Sequence, residues 1–178
     1  TDADIEAYRN GTKPSTDWYN EVFKKAAMET QHSFSINGGS EKTTYMASLA
    51  YLFQDGLSQE KNYERYNGRV NLDSKIANWV SAGINASAYR GINNDEYSGF
   101  GSLLQWANRI PPTVPIYNED GSFHFNGLDN PVANQGNTGI SRTMDQQLNA
   151  TAYLNITPIE GLSIKGLYNL RHDYRETY

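Results

Sequence analysis

The residues best suited to chemistry are scattered along this chain. The three histidines, His32, His124 and His172, stand far apart and without the ligand spacing of a zinc site. Cysteine is absent. That excludes a thiol nucleophile, a disulfide staple and a cysteine-based zinc site, and it fits a periplasm-facing protein as well as a cytosolic one. Asn118-Glu119-Asp120-Gly121 resembles a calcium loop only faintly. It lacks the alternating ligands and the distal glutamate of an EF-hand, so a turn is expected there. Gly99-Phe100-Gly101 lacks the third glycine and the preceding buried strand of a phosphate loop. Asp and Glu number 20, but no two of them are singled out as an acid/base pair. The sequons at Asn85, Asn149 and Asn155 fall in predicted strands. No catalytic residue, metal or cofactor is therefore assigned, and an enzyme is not expected.

What is concentrated is aromatic area. Tyr97, Phe100, Trp106, Tyr117, Phe123 and Phe125 crowd one long polar insertion. They would form a contact surface for a partner or a stacked sugar, or else pack the insertion onto itself.

The elements that must carry these residues show in the period of the sequence. Within 63–90 (YERYNGRVNLDSKIANWVSAGINASAYR) Tyr66, Val70 and Leu72 share a parity with Gly68, against Arg65, Asn67, Arg69, Asn71 and Asp73. After Ala77-Asn78 the alternation resumes, with Val80, Ala82, Ile84, Ala86 and Ala88 against Ser81, Gly83, Asn85 and Ser87. Side chains on a strand point alternately to opposite faces, so this is an antiparallel hairpin with one apolar and one polar face. Each run is about ten residues or longer, whereas strands of soluble domains peak near five or six. Eleven residues span about 36 Å, or about 25 Å when tilted by 45°, the height of the apolar band of an outer-membrane barrel.

Composition is compatible with that reading. The net charge of −5 and the pI near 5.2 leave no basic block to neutralise phosphates, so no nucleic-acid partner is expected. No run of apolar residues is long enough for a transmembrane helix. The mean hydropathy of −0.70 is no obstacle, because barrels hide their apolar residues in alternate positions.

Residues 1–30 read as helical or irregular. One spans 2–9 and stops at Asn10-Gly11, and a second is capped by Thr16 or Asp17, with Trp18, Val22, Phe23 and Ala26 on one side. From residue 31 to 178 the period is two. Strands are expected at 31–37, 44–54, 63–76, 79–90, 142–157 and 162–178, with a long extracellular loop at 91–141 that holds a short helix over 102–109. The connections at 38–41, 77–78 and 158–161 are short, and those at 55–62 and 91–141 are long. Outer-membrane barrels keep short turns in the periplasm and long loops outside. Parity puts Arg69 and Lys165 in the lumen, where they avoid the roughly 2–4 kcal/mol cost of a mid-depth lipid-facing cation. Tyr51, Phe53, Tyr66 and Tyr168 face outward as interface anchors. Six strands cannot close in lipid, so the chain is expected to be a segment of something larger.

Four stretches, TDWYNEVF (16–23), FSINGGSEKTTYMASLAYLFQDG (34–56), ERYNGRVNLDSKIANWVSAGINASA (64–88) and NITPIEGLSIKG (155–166), resemble in order and spacing the SusC/RagA family of TonB-dependent outer-membrane transporters. The resemblance covers most of the chain and is weakest over 92–140. It implies an all-β fold, with residues 1–30 as the first extracellular loop with short helices and 31–178 as six strands of a barrel of about 22, in the outer membrane of a Gram-negative bacterium. The implied partners are a SusD-like lipoprotein over the mouth, TonB acting through parts outside this window, outer-membrane lipid, and a glycan, oligosaccharide or peptide substrate. The resemblance carries no catalytic or ligand residue onto a position here. On this reading the lumen is lined by Arg65, Arg69, Asn71, Lys165 and Arg171, and the 91–141 loop meets the lipoprotein. The rival is a soluble β-sandwich that binds carbohydrate through surface aromatics, in which two apolar rows would meet across a dry interior.

Overall fold

Alternation dominates the folded chain as it does the sequence. In the computed structural model, which describes residues 1–13, 15–96, 99–125, 127, 130–137 and 139–178, strands β1 (Glu29–Gly39), β2 (Thr43–Asp55), β3 (Asn62–Ala77), β4 (Val80–Glu96), β5 (Ile140–Ile159) and β6 (Leu162–Thr177) form one antiparallel sheet in chain order. The helices are α1 (Asp2–Arg9), α2 (Trp18–Val22), α3 (Phe100–Arg109) and α4 (Pro131–Asn137). The chain divides into two compact units. A sheet unit comprises Glu29–Gln54, Tyr63–Asn93 and Arg142–Tyr178; a connection unit comprises Thr1–Met28, Asp55–Asn62 and Asn94–Ser141.

In the sheet unit the register keeps like with like. Phe34 pairs with Leu49 and Ile36 with Ala47, while Ser35 pairs with Ser48. Ala150 pairs with Leu170 and Ile156 with Ile164, while Asn149 pairs with Arg171 and Asn155 with Lys165. A slip of one residue would exchange the faces, so these pairs fix which side is apolar. That side is not covered within the sheet unit: Phe34 is 67% exposed, Leu49 66% and Tyr168 70%. The rows 80–88 and 148–156 lie on adjacent strands of one sheet and do not face each other, so the sandwich is excluded. Strands of 16, 17, 20 and 16 residues (β3 to β6) exceed the roughly 9–11 needed to cross a bilayer.

The connection unit is built differently. Trp18, Val22, Phe23, Leu103, Ala107 and Ile110 form a buried cluster, with Phe100, Leu104, Trp106, Val114, Ile116 and Val132 packed against it. Helix α1 starts in a capping box between Thr1 and Asp4, as its composition predicts. Asp17, not Thr16, caps α2. That helix is shorter than its apolar spacing suggests, because Phe23 turns extended and bridges to Ser58, and the Lys24 amide donates to the Leu57 carbonyl at 2.7 Å. Helix α3 begins two residues earlier than expected. Helix α4 was not expected at all, although Asn130-Pro131 announces it. The Asn130 side chain accepts from the amides of Val132 (3.1 Å) and Ala133 (3.2 Å), and Pro131 follows it at the first helical position. Strand β4 runs six residues past Arg90, held at its end by Asn94–Asn62 (2.7 Å) and Lys61–Asp95 (2.7 Å).

Candidate functional site

The polar face of the sheet is a continuous set of side-chain hydrogen bonds. Across β5 and β6, Arg175 forms an ion pair with Asp145. Gln147 Nε2 donates to Asp173 at 2.6 Å, and Arg171 Nε donates to the same carboxylate at 2.7 Å. Asn169 Nδ2 reaches Asn149 Oδ1 at 2.9 Å and Thr151 Oγ1 at 2.7 Å, and the Ser163 hydroxyl donates to Asn155 at 2.9 Å. Charge-assisted and amide bonds of this kind hold long polar side chains flat against a sheet.

One contact spans three strands. The Tyr153 hydroxyl on β5 donates to the Asp73 carboxylate on β3, crossing β4 at Gly83. A Cβ at Gly83 would stand 2.5 Å from both Asp73 Oδ1 and the Tyr153 ring. Glycine is therefore required by this crossing, as interior glycines of strands often are where another group approaches closely. Lys165 Nζ lies 5.3 Å from the centroid of the Tyr153 ring, within cation–π range.

Beside this crossing, Tyr63, Arg65, Asn67, Arg69, Ser87 and Gln147 surround a recess of about 510 Å³. Arg65 Nε is buried there without a hydrogen-bond partner among the described residues. Guanidinium, amide, hydroxyl and phenol groups together can hold carboxylates and sugar hydroxyls. Of the five residues expected to line a lumen, Arg65 and Arg69 meet at this recess. Asn71 follows on the same parity of β3, Lys165 sits at Tyr153, and Arg171 is held by Asp173. Sequence reading passed over Asp73, Gly83 and Tyr153, whose association depends on the registers of three strands. A glycine within an otherwise regular strand was the available signal.

In the connection unit, Phe100 packs on Phe23 with ring centroids 5.2 Å apart, and Trp106 lies against the core beneath the Arg109 guanidinium. Tyr117 stacks on Phe123 at 5.1 Å. Phe125 is 60% exposed, and Tyr97 lies outside the described residues. Around the Asn118–Gly121 turn, His124 Nδ1 and Asn118 Oδ1 are 2.7 Å apart. The hydroxyl and amide of Ser122 donate to Asp120 and hold its carboxyl below the usual carboxylate range.

No family model matches the chain. It is 32% identical over 168 residues to TonB-dependent receptor P26 of Formosa agariphila, covering 89% of this chain and 16% of that protein. It is 33% identical over 114 residues to TonB-dependent receptor SusC of Bacteroides thetaiotaomicron, covering 64% of this chain and 11% of that one. Among solved structures, the RagAB peptide importer in its closed-closed state superposes with a TM-score of 0.71 at 26% identity, over 92% of this chain and 19% of that one. The chain belongs to the SusC/RagA family. It spans less than a fifth of the length of these relatives. Membership accounts for a sheet with two open edges and an uncovered apolar face: in a SusC/RagA barrel further strands continue from β1 and β6, and an edge left open in lipid would be prohibitive. The SusC/RagA relatives are named as receptors and importers, not as enzymes.

Proposed function

We propose that this chain forms part of the wall of an outer-membrane transporter. It imports glycans, oligosaccharides or peptides, powered through TonB and working with a SusD-like surface lipoprotein. The observation that carries this reading is the segregation of the sheet: large apolar side chains stand exposed on one face while the other is bonded side chain to side chain. That arrangement suits lipid on one side and a water-filled passage on the other. The relatives' names support the same reading, and the likeness to the RagAB peptide importer favours peptides among the solutes.

Solute passes along Arg65, Arg69, Asn71, Lys165 and Arg171. The lipoprotein meets the 91–141 loop. Among its described aromatics, Tyr117 and Phe125 are 50% and 60% exposed and are free to make that contact, whereas Phe100 and Trp106 also hold the loop's own core. In the full-length protein, deletion of 97–126 should weaken co-purification of the lipoprotein. The finer test is Tyr117→Ser with Phe125→Ser, which leaves Leu103 and Trp18 in place. Undiminished recovery of the lipoprotein with both alterations refutes the contact.

A further inference from the structure

The apolar face of the sheet is not uniformly filled. Between Leu49 on β2 and Leu148 on β5 the neighbouring strands place Gly68 and Ala88, leaving a dent of about 500 Å³ bordered by Tyr66, Arg90 and Gln146. Strand packing does not require the glycine. A Cβ at Gly68 would meet only Leu49 Cδ2, at an ordinary 3.6 Å, in contrast to the prohibitive 2.5 Å at Gly83. Room is therefore kept on a face where Val70, Leu72 and Ile84 otherwise project.

Arg90 makes the dent more than a gap. Its guanidinium reaches the Met144 sulfur at 3.5 Å, a weak acceptor, and it takes part in no ion pair among the described residues. The nearby Glu64 carboxylate accepts from the Tyr66 hydroxyl at 2.9 Å. On the β6 side the His172 imidazole also borders the dent. Among the described residues no carboxylate lines it. A cation on a lipid-facing surface is costly unless an anion meets it, and a guanidinium matches phosphate bidentately.

We propose that this dent is a binding site for one phosphate-bearing lipid of the outer leaflet. An acyl chain lies over Gly68 and Ala88, and the phosphate is held by Arg90 with His172 as second donor. The proposal rests on the outer-membrane reading above. Leu49, Gly68, Ala88, Arg90 and Leu148 lie on β2 to β5, the interior strands of the sheet, and His172 lies on the edge strand β6.

The test uses the full-length protein in detergent, titrated with lipid A and followed by native mass spectrometry, with dephosphorylated lipid A as the control. One lipid A should be retained in preference to the control. Ala88→Leu, which fills the dent, and Arg90→Gln, which removes a charge-assisted contact, should each lower retention about tenfold. Both variants lie on the outer surface, and heat-modified gel mobility checks that each is folded. Unchanged retention in both overturns the proposal. So does loss in Arg90→Gln alone, which would mean a phosphate held without a seated chain, or equal retention of the dephosphorylated lipid. Failure of the membrane reading shows separately: a spin label at Val70 in reconstituted vesicles would then report water.

Discussion

The two units of this chain solve opposite problems. In the connection unit apolar side chains go inward, and Leu103 and Val22 are each only 1% exposed. In the sheet unit the large apolar side chains point out, and Leu52 is the sole buried hydrophobic residue among those described. Polar groups mirror this. Buried Asn130 and Gln135 satisfy backbone groups of the connection unit, Asn130 at Ile116 and His124 and Gln135 at Val22. The sheet's Asn, Gln, Asp and Arg side chains bond one another along a shared face. The lesson is that burial is defined by the solvent. An apolar residue is driven out of water, and in the sheet unit leaving water means facing lipid.

The sharpest way to break that contrast is to weaken one unit and watch the other. Leu103→Ala should cost the connection unit about 2–5 kcal/mol through lost burial and a cavity. Limited proteolysis within 94–141 should accelerate while amide exchange in β3 to β6 is unchanged; simultaneous loss of strand protection would merge the two units into one. A second comparison sets the sheet's faces against each other. In folding from urea into lipid vesicles, Val70→Arg should cost about 2–4 kcal/mol near the bilayer midplane. The adjacent Asn71→Arg, on the polar face, should stay within about 0.5 kcal/mol. Equal costs would erase the distinction between faces.

The smallest effect belongs to α1. Hydrogen bonds from Lys13 Nζ (2.7 Å) and the Thr1 hydroxyl (2.7 Å) hold the Asp4 carboxyl well below the usual carboxylate range. A depressed folded pKa contributes stability above the unfolded value of about 3.9, lost as pH falls through the folded one. Protection of amides 2–9 should therefore fall between pH 5 and pH 2 in the native chain and change less in Asp4→Asn. The same decline in both would remove Asp4 from that role.

The strands were legible because their signal is local. Period-two alternation at 44–54 or 148–156 needs no partner to be seen, and the register then confirmed each face. Less legible were the ends of elements. The composition of 91–96 reads as loop, yet cross-strand pairs of Asn94 and Asp95 keep it extended. Leu167 breaks the alternation in sequence, and in the sheet it stands opposite Tyr153. Helix α4 had a readable start in Asn130-Pro131, obscured by the polar composition around it.

By itself the sequence determined the two-faced strands, the order of short and long connections, and the family, because each is written in neighbouring residues. Tertiary structure alone decided that Tyr153 reaches Asp73 over Gly83, that Arg65 and Arg69 share one recess, and that Gly68 and Ala88 open a dent beneath Arg90. Those are relations between strands far apart in the chain. They are set by register, which no single strand encodes.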